Sequence, residues 1–487
     1  MTMMLRRYLS NGAKFVNRPK VQWNLGQRLH ENRPFLLQPG ELTPGITAAE
    51  YYQRRAELVR NLPVGSCLII LANQIKFASG AVFYPFQQDN DLFYLTGWNE
   101  PDSIMVLEKP SENIEDHELT MFVPPKNEFK EKWEGFRTGV DAVKEFFNAD
   151  HSYSVDNSMS MVNELAKIIK RNKDIYFDPD SNKNSKINSN ILNLIKETNK
   201  GTPKKLKSLV ADLRKVKSES EIRLMRRAGQ ISGRSYNIAM AQRFRNERTL
   251  HTFLEHKFIS GGCDKSAYIP VVATGPNALC IHYTSNDDVM YDDEMVLVDA
   301  AGALGGYCSD ISRTWPVAGK WPSSAHKDLY EAVLNVQRES LKNCKKALEN
   351  NMSLHDLHEA SVKLTKQELK NLNFSKATEI AEKLYPHYIG HNLGLDVHDV
   401  PEVSRFNPLV EGQVITIEPG LYIPDSPEYP AEFRNIGIRI EDDVVLKKDG
   451  YINLTVEAVK EIKDIENVMQ NGTTTDFEDD VVSPLQG

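Results

Sequence analysis

Two short segments near the end of this chain alternate with period two, and each closes on a glutamate: Val414-Ile415-Thr416-Ile417-Glu418 and Gly437-Ile438-Arg439-Ile440-Glu441. As strands they put Ile415 and Ile417, then Ile438 and Ile440, on one face, with Thr416, Glu418, Arg439 and Glu441 on the other. Most such strands simply turn their polar face to water. Here Glu418 runs straight into Pro419-Gly420, a turn signal, and strand ends at turns are where functional groups are often displayed. An apolar, β-branched run ends the same way at Met295-Val296-Leu297-Val298-Asp299. The turn-rich stretch 300–306 then leads back to Tyr307-Cys308-Ser309-Asp310. With Leu304-Gly305 as a two-residue hairpin tip, Ala303 pairs with Gly306 and Asp299 with Asp310. Directly opposed residues have Cβ atoms roughly 4.5–5.5 Å apart. Carboxylates held that close repel unless cations sit between them.

The histidines His282, His387, His391 and His398 surround these strands in sequence. His387 and His391 have the spacing of a helical metal pair, but Pro386, Gly390 and Gly394 argue against a helix there. Taken together, Asp299, Asp310, His391, Glu418 and Glu441 are four carboxylates and one imidazole. That donor set suits hard divalent ions, Mn²⁺ above all, better than a thiolate-built zinc site. Two adjacent ions of this kind would serve hydrolysis.

Several stretches resemble the pita-bread metallopeptidases, and within them the aminopeptidase P (Xaa-Pro aminopeptidase) branch. They are Asp299-x10-Asp310, His391-Asn-Leu-Gly-Leu-Asp-Val-His398-Asp, Ile417-Glu418-Pro-Gly-Leu-Tyr and Gly437-Ile-Arg-Ile-Glu441-Asp-Asp. Asn90-Asp91-Leu92-Phe93-Tyr94-Leu95-Thr96-Gly97-Trp98 is similar to that branch's non-catalytic domain. Gly80–Gln88 and Lys132–Arg137 resemble fungal mitochondrial members that cleave processing intermediates. The resemblance spans roughly residues 48–465. It implies that Asp299 chelates one metal, that Asp310 and Glu441 bridge two, and that His391 and Glu418 complete the second. It also makes Glu418 the proton acceptor and donor for the attacking water, and sets His282 and His398 on the substrate carbonyl. His387 and Arg439 would support the ligand shell. Trp133 would wall the site from a neighbouring subunit, which implies a homo-oligomer.

The implied fold class is α+β: an N-terminal α/β domain followed by a C-terminal pita-bread (creatinase/aminopeptidase) catalytic domain. The expected divisions are a presequence and arm at 1–47, the N-terminal aminopeptidase P-like domain at 48–200 and a linker at 201–217. The metallopeptidase domain follows at 218–465, with an acidic, frayed tail at 466–487. Ser218-Glu219-Ser220-Glu221 is a capping-box signal that opens the catalytic domain's first helix. No apolar run approaches the ~20 residues of a membrane helix. The net charge of −8 makes nucleic acid a poor partner. Five scattered cysteines suggest a reducing compartment and no disulfide framework.

Before Glu31 the chain has no acidic residue, while Arg6, Arg7, Lys14, Arg18, Lys20 and Arg28 are basic, as in a mitochondrial presequence. The expected location is the mitochondrial matrix or the periphery of the inner membrane. Arg7-Tyr8-Leu9-Ser10 resembles a site where the matrix processing peptidase cuts two residues after an arginine, leaving Leu9 for a second enzyme and then Ser10. The ligand chemistry by itself points to metal-assisted hydrolysis, and the resemblance implies that the activity is that of a dinuclear aminopeptidase. It would remove one bulky residue (Tyr, Leu or Phe) from processed mitochondrial proteins, its own precursor included, and so stabilise them. A general Xaa-Pro aminopeptidase is the first alternative. A non-catalytic peptide-binding module is the second, disfavoured because such scaffolds typically lose metal ligands and all five are present.

Overall fold

A computed structural model describes residues 24–179, 185–198, 200–473 and 477–485. The Arg7–Ser10 processing site lies outside the described residues.

The N-terminal unit is built on a five-stranded mixed sheet. Its order is His151–Ser154, Glu118–Val123, Ile104–Lys109, Ser66–Leu71 and Asp174–Tyr176, with the two outer strands parallel to their neighbours. All six residues of the strand Ser66–Leu71 are buried, as expected for a sheet covered on both faces. Cys67, Ile69 and Leu71 pack under the helices Ser158–Arg171 and Ser185–Glu197. Leu68 and Ile70 face the opposite way, toward Tyr51, Leu58 and Trp98. The arm ahead of this sheet is integrated where it is described. Leu29 is buried, and the Gln27 amide donates to Gly97 O at 2.7 Å and to Leu42 O at 3.1 Å.

Ser218 caps the helix Glu219–Met240 in a full capping box with Glu221, as the sequence predicts. Beyond it, two half-sheets meet. One holds Val271–Thr274, Met295–Asp299 and Ser312–Pro316, continued by Lys265–Ser266, Gly302–Leu304 and Tyr307–Cys308. The other holds Val414–Ile417, Asp442–Lys447 and Gly450–Asn453, continued by Gly420–Ile423 and Ile436–Arg439. In each half a long hairpin breaks its ladder once and resumes in the same register. Asp310 falls in one break, with Asp299 at its edge; Glu418 and Glu441 fall in the other. The halves join at these breaks, where Glu441 N donates to Ser312 O at 3.0 Å and Thr314 Oγ1 donates to Arg439 O at 3.2 Å. The helices Ser324–Lys346, Leu354–Asn371 and Ala377–Leu384 cover the outer face through Tyr330, Leu334, Leu357 and Ile380.

The hairpin register differs from the sequence expectation by two residues. Leu304 pairs with Tyr307 and Asp299 with Ser312. The tip is Gly305-Gly306, with φ of 60° and 88°. A two-residue turn of this kind needs positive φ at both central positions, which glycine accepts and Leu304 would not. Because the shift is even, Asp310 stays on the same face as Asp299.

The C-terminal segment is another difference. It was expected to fray, yet Asp479 pairs with Lys257 at 2.9 Å, Val481 N donates to Ser260 O, and the Arg227 guanidinium donates to Pro484 O. The described part of this tail is therefore tied to the helices Glu219–Met240 and Glu247–Ser260.

Candidate metal centre

The breaks in the two hairpins bring the predicted carboxylates together around one point. Asp310, His391 and Glu441 each offer a ligand atom within 4.8 Å of the others. His391 Nε2 lies 3.6 Å from Asp310 Oδ2 and 3.4 Å from Glu418 Oε1. Asp299 joins through Tyr268, whose hydroxyl reaches Asp299 Oδ1 at 2.5 Å and Asp310 Oδ1 at 2.6 Å. All five predicted ligand residues are thus brought into one cluster.

Each histidine's tautomer follows from what its other nitrogen touches. His391 Nδ1 faces Asn392 O at 3.0 Å. A ring nitrogen facing a carbonyl must carry the proton, so the neutral ring turns the Nε2 lone pair toward Asp310 and Glu418. Burial lowers the His391 pKa, favouring that neutral form. His387 works differently. Its Nδ1 donates to Tyr388 O at 2.9 Å, so Nε2 accepts from the Tyr422 hydroxyl at 2.8 Å. Burial, with the Arg439 charge second, pushes the His387 pKa down to about 3. Both of its nitrogens are therefore engaged in holding the frame. His387 and His391 lie in a loop rather than a helix, as Pro386 and Gly390 require.

Arg439 is the hub of that frame. It donates to Asp299 Oδ2 at 2.7 Å, to Ser312 Oγ at 2.8 Å and to Tyr422 OH at 2.8 Å. Ser312 Oγ in turn donates to Glu441 Oε2 at 2.7 Å. The carboxylates remain under strain from one another. Burial raises the Asp310 and Glu441 pKa values, and repulsion among Asp299, Asp310, Glu418 and Glu441 adds to it. Glu418 is pushed up to about 7, burial again being the first cause. Glu441 Oε1 is buried with no hydrogen-bond partner. An orphaned buried carboxylate oxygen, three nearby acids and an imidazole lone pair aimed among them fit divalent cations of the hard, oxygen-seeking kind.

His282 and His398 are exposed at the rim. The His398 ring lies 4.2 Å from that of His391, and the partial burial of its ring, with the repulsion that protonated His391 and His282 would add, lowers its pKa to about 4. Trp133 sits apart on the helix Glu128–Glu134 and is 76% exposed, between exposed Phe129 and Phe136. Sequence reading passed over Tyr268 and Ser312. Tyr268 lies in no periodic segment with a ligand at a telling spacing, so only the fold reveals it, whereas Ser312, two residues after Asp310, stands at the same-face spacing of a strand, a signal that could have found it.

Residues 223–448 match the model of metallopeptidase family M24, and residues 51–176 match that of the aminopeptidase P N-terminal domain. The chain is 61% identical to Intermediate cleaving peptidase 55 of Saccharomyces cerevisiae, covering 99% of this chain and 95% of that protein. It is 35% identical to Xaa-Pro aminopeptidase 3 of Mus musculus, over 96% of this chain and 94% of that protein. A crystal structure of the Saccharomyces cerevisiae peptidase lacking its N-terminal 58 residues superposes with a TM-score of 0.83 at 62% identity, covering 89% of this chain and all of that one.

Proposed function

The chain belongs to metallopeptidase family M24 and is an aminopeptidase; on that footing we propose that it removes one bulky residue, Tyr, Leu or Phe, from the N-termini of imported mitochondrial proteins after a first processing cut. The mitochondrion is its proposed location, in line with the basic, acid-free N-terminus. The observation that carries this reading is near-full-length similarity to an intermediate cleaving peptidase, supported by the grouping of Asp310, His391 and Glu441 with Asp299 and Glu418 beside them.

In this reading Asp299, Asp310, His391, Glu418 and Glu441 hold two divalent ions, with Mn²⁺ the proposed metal because one imidazole and four carboxylates form a hard set. Bound ions of this kind supply Lewis acidity, lowering the pKa of a water and polarising a carbonyl. The residues of the chain do the rest. Glu418, at the edge of the cluster, takes a proton from the attacking water and returns it to the leaving amine. His398 and His282 donate to the carbonyl oxygen as it gains charge. Arg439 and Tyr268 keep Asp299 in place, and His387 steadies Tyr422. Trp133, with its exposed ring, is the proposed point at which a second copy would close the site.

The second reading, a general Xaa-Pro aminopeptidase, is favoured by the 35% identity to such an enzyme. Mass spectrometry on two peptides separates the readings. They begin Leu-Ser and Leu-Pro, share one downstream sequence and are incubated with Mn²⁺-loaded protein. Release of Leu from the first, stopping at Ser, is the expected result. Cleavage of the Leu-Pro peptide alone makes this a Xaa-Pro aminopeptidase. If both peptides survive with metal bound, the enzymatic reading falls.

A further inference from the structure

We propose that Arg214 and Lys217 form a clamp that positions His398 by holding the strained turn beneath it, and that the N-terminal unit supplies one jaw of that clamp. The inference rests on the catalytic role given above to His398.

No side-chain hydrogen bond among the described residues holds the His398 ring, which otherwise rests against His391 at 4.2 Å, so its place depends chiefly on the backbone that carries it. That backbone is under strain. Val400, two residues on, is buried with φ of 44°. A β-branched residue there is a true outlier, and the following Pro401 disfavours most alternatives to an extended backbone. Such conformations persist only where the surroundings over-determine them, and they cluster at functional sites.

The surroundings here are ionic. The Arg214 guanidinium reaches Asp399 Oδ1 at 2.6 Å through Nη2, Asp396 Oδ2 at 2.6 Å through the same nitrogen, and Asp91 Oδ1 at 2.6 Å through Nη1. Lys217 Nζ takes the other Asp399 oxygen at 2.9 Å, both side chains being almost fully buried. Asp396 and Asp399 flank His398, so the turn is gripped on both sides of it. Asp91 lies on the helix Asn90–Thr96 of the N-terminal unit, and its neighbour Asn90 donates to Asp396 Oδ1 at 2.7 Å and to Leu395 O at 3.2 Å. The N-terminal unit thereby touches the catalytic turn without contributing a metal ligand. Arginine suits this task better than lysine, because its rigid fork can engage three carboxylates at once.

A mutant cycle in the full-length, Mn²⁺-loaded protein tests the clamp. Arg214→Gln is measured alone and in a His398→Ala background, with kcat and KM on the Leu-Ser peptide and metal content by mass spectrometry. Arg214→Gln is expected to lower kcat about 10- to 100-fold, with KM and metal content nearly unchanged. In the His398→Ala background it should cost less than about threefold, since a positioning residue has nothing left to position. Equal losses in both backgrounds, an unchanged kcat, or loss of metal would overturn the proposal. Should Arg214→Gln fail to fold, Asp91→Asn removes only the jaw from the N-terminal unit. It should give a smaller loss with the same dependence on His398, and a loss independent of His398 would count against the clamp. The ring ¹³C resonance of His398 in histidine-labelled protein loaded with diamagnetic Zn²⁺ in place of Mn²⁺, assigned by its disappearance in His398→Ala, reads the clamp without turnover. Arg214→Gln or Asp91→Asn should shift it and leave that of His355 in place. An unmoved His398 resonance overturns the clamp, whereas a wild-type protein that cleaves neither peptide overturns only the catalytic reading.

Discussion

Glu441 shows how a single side chain can call for a cation. It is 1% exposed, one oxygen is bonded to Ser312 and the other has no hydrogen-bond partner. A buried carboxylate left in that state, beside Asp310, Glu418 and Asp299, is destabilising unless cations neutralise the group. Two consequences follow for stability. Chelation should lower the thermal midpoint of the wild type, because ligand at 100 times its Kd contributes about 2.7 kcal/mol. Glu441→Gln should abolish turnover and lose most of the Mn²⁺-dependent rise. Its metal-free midpoint, however, should equal or exceed that of the metal-free wild type, since one repelling charge is gone. Differential scanning fluorimetry with and without Mn²⁺ checks both, and a wild-type midpoint indifferent to chelation would dismiss the cluster as a metal site. At this scale the carboxylates were legible because each sits at or beside a strand end, where pattern and turn signals coincide. Tyr268 was not. It bonds Asp299 and Asp310 from 31 and 42 residues away, and no local periodicity encodes a contact made across a sheet.

The element that carries His391 is a loop acting as an extra strand. Ile389 O accepts from Glu418 N at 2.7 Å, His391 O accepts from Thr416 N at 3.0 Å, and Asn392 bridges to Ile415. This pairing fixes both His391 and Glu418, and it brings the loop so close that a Cβ on Gly390 would lie 1.9 Å from Thr416 O. Backbone cannot yield as a flexible side chain would. Gly390→Ala should therefore push the loop off the strand, at a cost of about 3 kcal/mol or more, and reduce Mn²⁺ affinity with it. Thermal melts and metal titration would show both effects, and a variant that melts and binds normally would contradict the close pairing. The sequence led correctly to the strands Val414–Ile417 and Met295–Asp299 and to the capped helix from Glu219, because period and capping chemistry are local. It missed the hairpin tip by one residue, and the register by two, since either Leu304-Gly305 or Gly305-Gly306 could be read as the turn until positive φ at both centres decides it.

Over the whole molecule, the boundary between the units is less of a seam than composition suggests. Residues 201–217 read as a polar linker, yet Arg214 and Lys217 within them are buried. Their partners, Asp91, Asp396 and Asp399, lie far away in sequence, where no local pattern links them to the linker. One apolar cluster runs through both units, from Tyr51, Phe93 and Trp98 to Leu304, Tyr307, Leu395 and Val445. Arg54 of the helix Ala48–Arg60 reaches Glu221 at 3.5 Å, and Tyr307 OH donates to the same carboxylate at 2.9 Å. Breaking such a buried pair by removing one side costs about 3–5 kcal/mol. Separating the units would break several at once and expose the shared core to water. The two units should therefore unfold as one. Calorimetry on the full-length, metal-loaded protein is expected to give a single transition, with fluorescence and circular dichroism midpoints that coincide. A chain beginning at residue 206 should expose Leu304, Tyr307 and Leu395 and fail to bind Mn²⁺ tightly. Two resolved transitions, or a stable and metal-competent fragment, would mean that the interface merely joins two independent folds, and the N-terminal unit would then have no structural hold on the catalytic turn.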